Sequence, residues 1–141
     1  LYASNFSIGV NILFEINEKL AQLMNAQLMY DVAIEEIHHT EKKDAPSGTA
    51  ISLANTMTDK LDRKSGWTLE EDPKEHEIEI KASREANVPG IHAVRYSSKI
   101  DEIELKHTAK GRKGFAMGAV LAAEWLPGRK GVFTMKDLMT L

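Results

Sequence analysis

The stretch Glu35-Glu36-Ile37-His38-His39-Thr40-Glu41-Lys42-Lys43-Asp44-Ala45-Pro46-Ser47-Gly48-Thr49 holds the densest set of side chains able to move protons or hold an anion. Two imidazoles, which exchange protons near neutral pH, are followed by lysines, and a lysine close to other cations gives up its proton more readily. Pro46-Ser47-Gly48-Thr49 has the residue types that open a helix. The first N–H groups of a helix and its positive dipole end attract a carboxylate or phosphate. Gly48 would let such a ligand reach the backbone. An anion cradle beside proton donors points to chemistry on a small acid. A solvated, charged turn before a helix would show the same composition, so residue types alone leave both readings open.

The periodicity on either side suggests how these residues are positioned. From Ile8, apolar residues at Ile12, Leu13, Ile16, Leu20, Leu23 and Met24 recur at helical spacing, with Asn5 or Ser7 available as the cap. Alternation then places Tyr30, Val32 and Ile34 on one side of a strand that ends near His38. A second helix opens at the Pro46–Thr49 turn, with Ala50, Ala54, Met57 and Leu61 as its inner face, and fades before Ser65-Gly66. Residues 67–74 read as a charged loop. Three strands follow at 76–82, 90–97 and 100–108, with Ile78 and Ile80, Val94 and Tyr96, and Ile103 and Leu105 as inward pairs. The last two form a hairpin turning at Ser97-Ser98-Lys99. Phe115, Gly118, Ala119, Ala122 and Trp125 mark a third helix, stopped by Pro127-Gly128. The tail, residues 130–141, is short and mixed.

Strands and helices do not alternate regularly, so the expected class is α+β: a mixed open sheet of about four strands with helices packed on one face. No Gly-x-Gly-x-x-Gly follows a strand, since Gly111, Gly114 and Gly118 have the wrong spacing, and a Rossmann unit is not expected within this chain. Apolar side chains left over on the strands, Ile91, Ala93 and Ile100 among them, suggest a second sheet packed on the other face.

The 141 residues are 43% hydrophobic and 28% charged with a net charge of −3, enough for one core. With the charges interleaved and no long basic stripe, nucleic acid is a poor candidate partner. The absence of cysteine removes disulfides, thiolate metal sites and a cysteine nucleophile. No stretch approaches the roughly 18 apolar residues of a membrane span, so the sequence reads as soluble and cytoplasmic. Adjacent His38 and His39 point to opposite faces of a strand and lack a partner motif, so no metal is expected. His92 and His107 read as ordinary sheet residues, and Trp67 and Trp125 as packing residues. Arg112, in a basic loop, is either solvated or reaches toward a substrate carboxylate.

The string EIHHTEKKDAPSGTA resembles the signature of 4-hydroxy-tetrahydrodipicolinate reductases (dihydrodipicolinate reductases), roughly Glu-x-His-His-x-x-Lys-x-Asp-Ala-Pro-Ser-Gly-Thr-Ala. Ala3 to Asn11 is similar to that family's linker and Val88-Pro89-Gly90 to its mid-domain turn. Gly114 to Val120 is similar to its last long helix, and Gly131 to Leu138 to its tail. The resemblance covers nearly the whole chain but only the C-terminal part of such an enzyme. Beginning at Leu1 rather than Met, residues 1–7 read as the hinge from a missing N-terminal nucleotide-binding domain, and residues 1–141 as the substrate-binding and oligomerisation domain. After Gly90 many members continue with a Gly-Phe-Ala stretch and a longer hairpin. This chain looks closer to a shorter branch.

The resemblance implies NADH- or NADPH-dependent reduction to tetrahydrodipicolinate on the route to diaminopimelate and lysine. His38 and Lys42 would be the acid/base pair, with Lys42 the proton donor. His39, Gly48 and Thr49 would hold a dicarboxylate substrate, and Ala3, Ser4, Asn5 and Phe6 would touch the nicotinamide end of the cofactor. It also implies a homotetramer built through the sheet. The contrasting reading is a non-catalytic module for sheet-mediated assembly or small-acid binding.

Overall fold

The computed structural model describes residues 1–140. Residues 1–7, labelled the hinge for the role expected of them, end at Ser7, whose hydroxyl accepts from the Val10 N–H and caps α1 (Ile8–Met24). The side that α1 buries is Val10, Leu13, Asn17, Ala21 and Met24, so its inner stripe is rotated from the one expected. Ile12, Ile16 and Leu23 stay exposed. The rotation brings Asn17 inside, where its Nδ2 donates to the Leu53 carbonyl (3.2 Å) and ties α1 to the next helix.

Central strand β1 (Asp31–His38) buries every second residue. It leads through the signature loop into α2 (Gly48–Lys60), capped by Ser47. Ala50, Leu53, Ala54, Met57 and Leu61 of this segment are fully buried. Fully burying a Leu or Met contributes about 1.5–3 kcal/mol, so Leu53, Met57 and Leu61 are a large part of what holds α2 on the sheet. Gly66–Thr68, expected as loop, forms a short strand β2 because Trp67 packs half-buried against the core and its backbone pairs with a neighbour. Then come β3 (Glu77–Arg84), β4 (Ile91–Ser97) and β5 (Glu102–Thr108). The β4–β5 turn is closed by Ser98 N–H donating to the Asp101 carbonyl.

The sheet therefore has five strands in the order β2-β3-β1-β4-β5. β1 runs parallel to β3 and antiparallel to β4, β2 is parallel to β3, and β4–β5 is an antiparallel hairpin. Helices α1 and α2 cover one face over Val32, Ile34, Ile78, Ile80, Val94 and Tyr96. The class is α+β with a mixed sheet, as expected, with one strand more. Ile103 is half out of this core, on edge strand β5.

The opposite face is not the apolar surface anticipated. Strand alternation gives it Glu35, Glu79, Lys81, Arg95, Glu102, Glu104 and Lys106 around a narrow strip of Ala33, Ile37, Ile91 and Ala93. Arg95 alone is paired with Glu35, Glu102 and Glu104. Ile100 lies in the β4–β5 turn and is exposed.

Helix α3 (Lys113–Trp125) buries only Gly118 and Ala122, against α1 and the hinge rather than as a further sheet-covering layer. A Cβ at Gly118 would lie 1.7 Å from the Phe6 carbonyl oxygen, so only glycine lets the hinge pass here. The tail forms a one-turn helix α4 (Met135–Met139), with a Thr134–Asp137 capping box. It returns to the start of the chain, where Tyr2 N–H donates to the Phe133 carbonyl. None of the helices among the described residues is long and apolar enough to cross a membrane.

Candidate functional site

At the end of β1 the sheet, the start of α2 and the hinge enclose an open cleft of about 790 Å³. Its lining includes His38, His39, Lys42, Gly48 and Thr49, all five of the catalytic and substrate-binding residues expected, together with Ser4 and Asn5 from the hinge. Ala3 and Phe6 are not in the lining. Phe6 is engaged with Gly118, and the hinge meets the cleft through Asn5, whose Nδ2 donates to Thr49 Oγ1 (3.4 Å). Arg112, at the start of α3, lines the cleft too.

The local fold explains this convergence. His38 is the last residue of β1, at the point where the chain leaves the sheet. Residues 39–47 turn the chain back to start α2 beside it. Ser47 Oγ accepts from Ala50 N–H, while the N–H groups of Gly48 and Thr49, the first two of the helix, have no acceptor among the described residues. No heavy atom lies within 4 Å of a Cβ placed on Gly48, so the approach to this backbone is open. With Lys42 and Arg112 around the cleft against Glu41 alone among the acids, and the start of α2 in its lining, the site favours anions.

Behind the cleft lies a buried polar cluster. Glu36 is fully buried, and its Oε2 contacts His38 Nδ1. Its Oε1 accepts from Ser47 N–H (3.0 Å) and from the Arg84 guanidinium (3.4 and 3.5 Å). Arg84 also donates to the carbonyls of Lys42 (3.3 Å) and Asp44 (2.6 Å), which fastens the signature loop to the end of β3. Lys42 Nζ lies 2.8 Å from both carboxylate oxygens of Asp44. That lysine, expected among cations, is instead held by an anion, and the bond keeps the Asp44 carboxyl below its usual range.

His92 and His107 were expected to be ordinary sheet residues, but both line the cleft. The register explains it: His92 on β4 stands beside Glu36 on one side and His107 on the other, all on the helix-covered face. Its Nε2 is 2.9 Å from Ser47 Oγ, and its ring meets His38 edge to face at 4.9 Å. Burial, reinforced by neighbouring His38, His107 and Lys42, pushes the His92 pKa down to about 3, so the ring is neutral and shares a single hydrogen bond with the Ser47 hydroxyl. Burial also holds His38 below its ordinary value, against the opposing pull of Glu36.

Glu36, His38 and His92 place potential ligand atoms within 4.8 Å of one another. Those atoms are engaged by one another, by Ser47 and by the Arg84 cation, which is the pattern of a hydrogen-bonded cluster. A signal for two of the three was present in the sequence. Glu36 falls in phase with Val32 and Ile34, and His92 with Val94 and Tyr96, and a charged or polar residue on a buried stripe needs a partner.

The fold and the cleft define a sheet-based α+β domain with an open, cation-lined cleft at a helix start. The family model for the C-terminal part of dihydrodipicolinate reductase matches residues 9–139. A 4-hydroxy-tetrahydrodipicolinate reductase of Christiangramia forsetii is 56% identical over 99% of this chain and 58% of its own length. One from Aquifex aeolicus is 42% identical over the full chain and 54% of its own length. Among solved structures, a dipicolinate-bound dihydrodipicolinate reductase from Paenisporosarcina sp. TG-14 shares the fold, with a TM-score of 0.73. It is 23% identical, over 96% of this chain and 52% of that one. The chain belongs to the dihydrodipicolinate reductase family and corresponds to its C-terminal domain. It spans a little over half the length of the curated relatives it matches.

Proposed function

We propose that this chain is the substrate-binding and proton-transferring domain of a 4-hydroxy-tetrahydrodipicolinate reductase, acting in the cytoplasm on the lysine and diaminopimelate route. The observation that carries the reading is the joining, in one cleft, of free helix-start N–H groups at Gly48 and Thr49 with Lys42, His38 and His39. One substrate carboxylate would sit on the Gly48 and Thr49 N–H groups and the Thr49 hydroxyl, with His39 beside it. The family resemblance assigns His38 and Lys42 to the acid/base work and the proton donation to Lys42. The Lys42 ammonium would leave Asp44 and turn to the ring as negative charge develops there.

A nicotinamide, NADH or NADPH, would supply the hydride, carried mainly by the N-terminal nucleotide-binding domain that the family resemblance implies. Ser4 and Asn5 line the cleft and would meet its nicotinamide end, and the Asn5–Thr49 bond places that hinge against the anion cradle. Titrating the chain with dipicolinate, the ligand of the structural relative, should shift backbone resonances of Gly48, Thr49 and His39. No response there at millimolar ligand would sink the assignment. In a full-length reductase carrying this domain, Lys42→Ala should lower kcat by roughly 100-fold or more with a smaller change in KM, because a proton donor acts mainly in the transition state.

A second reading, assembly through the sheet, has its own support in the Ile37, Ile91, Ala33 and Ala93 strip on the uncovered face. We propose a homotetramer formed by that face. Charged residues surround the strip, so its mass in sedimentation should fall with changing salt, and a monomer at every ionic strength would refute it.

A further inference from the structure

A charged side chain on the buried side of a β-strand is costly unless its charge and hydrogen-bonding capacity are satisfied. Glu36 is such a residue, 0% exposed, and its two oxygens meet these requirements in different ways. One oxygen, Oε2, meets His38 Nδ1, and apart from each other these two buried atoms have no partner. The other oxygen accepts the Ser47 N–H, the last backbone donor before α2 begins, and the fork of Arg84. A single rigid carboxylate therefore touches the imidazole expected to carry protons and the backbone from which the anion cradle starts. On the other edge of the His38 ring, Nε2 accepts and donates no hydrogen bond among the described residues and lies beside Gly90 in the cleft wall.

We propose that Glu36 is a positioning residue of the reaction: it accepts a hydrogen bond from His38 Nδ1–H, so that His38 faces the cleft with an unprotonated Nε2, and it holds the start of α2 in register with that nitrogen. This rests on the reductase reading given above and extends it to a residue that touches neither substrate nor cofactor. A carboxylate cannot donate, so its contact with Nδ1 selects the Nδ1–H tautomer. Arg84, which neutralises the same carboxylate from β3, keeps Glu36 from acting as a lone buried charge and fixes the Lys42–Asp44 turn with its remaining donors. The charged and titratable groups around His38 are Glu36 on its own strand, Arg84 on β3, His92 on β4 and Lys42 in the loop. Only Glu36 favours its cationic form.

The decisive comparison is Glu36→Gln in a full-length reductase carrying this domain. Glutamine keeps the volume and leaves an oxygen for Ser47 and Arg84, but it turns an N–H₂ donor toward His38. Nitrogen-15 spectra of labelled histidines should show His38 as the Nδ1–H tautomer in the unaltered protein and as Nε2–H in the variant. With Nε2 blocked, kcat should fall roughly 100-fold, and the acidic limb of the pH–rate profile should move to lower pH as the carboxylate's pull is lost. Glu36→Asp, which restores the charge, should recover part of the rate and the original tautomer. An Nε2–H tautomer in the unaltered protein overturns the proposal without any variant, so a Gln variant that fails to fold does not rescue it. A slowed Glu36→Gln enzyme with unchanged tautomer and pH profile overturns it as well, leaving Glu36 a purely structural residue. If His38→Gln retains full kcat, the catalytic reading of the site falls, and this inference with it.

Discussion

Acid should destabilise this domain through His92, and the size of the effect follows from where the side chain sits. The ring is buried between β1 and β5, is hydrogen-bonded to the Ser47 hydroxyl, and has a pKa lowered to about 3 from the ordinary 6.5. In the unfolded chain it protonates as pH falls through 6.5, whereas in the folded protein it stays neutral until about pH 3. The unfolded state thus binds the extra proton throughout that window. Stability conferred by the neutral ring is complete above pH 6.5 and is lost as pH falls, at about 1.4 kcal/mol per unit. From pH 7.5 to 5 the loss from this residue is about 2 kcal/mol. That is equivalent to roughly 4–8 °C in Tm for a domain of this size. Urea titrations at pH 7.5, 6.5, 5.75 and 5 on the protein and on His92→Gln, which keeps a hydrogen-bonding group for Ser47 but cannot titrate, isolate the term. His38 and His107, also lowered by burial, push in the same direction and remain in both proteins. The reasoning is refuted if the variant loses stability between pH 7.5 and 5 to within about 0.5 kcal/mol of the unaltered protein.

Three substitutions test other parts of the site. Gly48→Ala meets no neighbour and adds a better helix former, so Tm should hold or rise slightly. Dipicolinate affinity, measured by calorimetry, should drop because the methyl occupies the approach to the backbone. Gly118→Ala drives a methyl into the Phe6 carbonyl and should cost about 1–3 kcal/mol in urea melts, with hinge resonances shifting most. Arg84→Met removes the fork joining Glu36 to the Lys42 and Asp44 carbonyls. It should destabilise by about 3–5 kcal/mol, since Glu36 loses its buried counterion, and hydrogen exchange should quicken across 42–44.

The sequence was most legible where one local signal had only one solution. The alternation through Val32 and Ile34 placed β1, and Pro46 to Thr49 marked the start of α2 with the cleft residues around it. It was least legible where neighbours decide. The inner stripe of α1 is set by Asn17 reaching the Leu53 carbonyl, a contact no spacing rule foresees, and so Ile12, Ile16 and Leu23 were assigned to the wrong side. Residues 66–68 carry too few apolar positions to read as strand, and only the edge of β3 makes them one. His92 and His107 looked ordinary because what makes them part of the cleft is pairing across β1, β4 and β5, which sequence order does not disclose. The uncovered sheet face was expected to be apolar because the inward and outward sets of β4 were judged without the Glu and Lys residues of β3 and β5 beside them.

Strand β1 has both of its partners downstream: Ile34 stands next to Ile80 on one side and Val94 on the other. As the chain leaves the ribosome, the strand that carries Glu36 and His38 is made first and has no neighbour to pair with until β3 and β4 emerge. α1 and α2 can dock on each other in the meantime, since Asn17 and Leu53 are joined across them, and they cover the apolar side of β1 while its two edges stay open. Closing both edges requires segments distant in sequence to meet, so the slow part of folding falls on sheet pairing, and the cleft is completed with it. A ribosome stalled between β3 and β4 would hold a nascent chain with one open apolar edge, the species most prone to pair with another copy of itself.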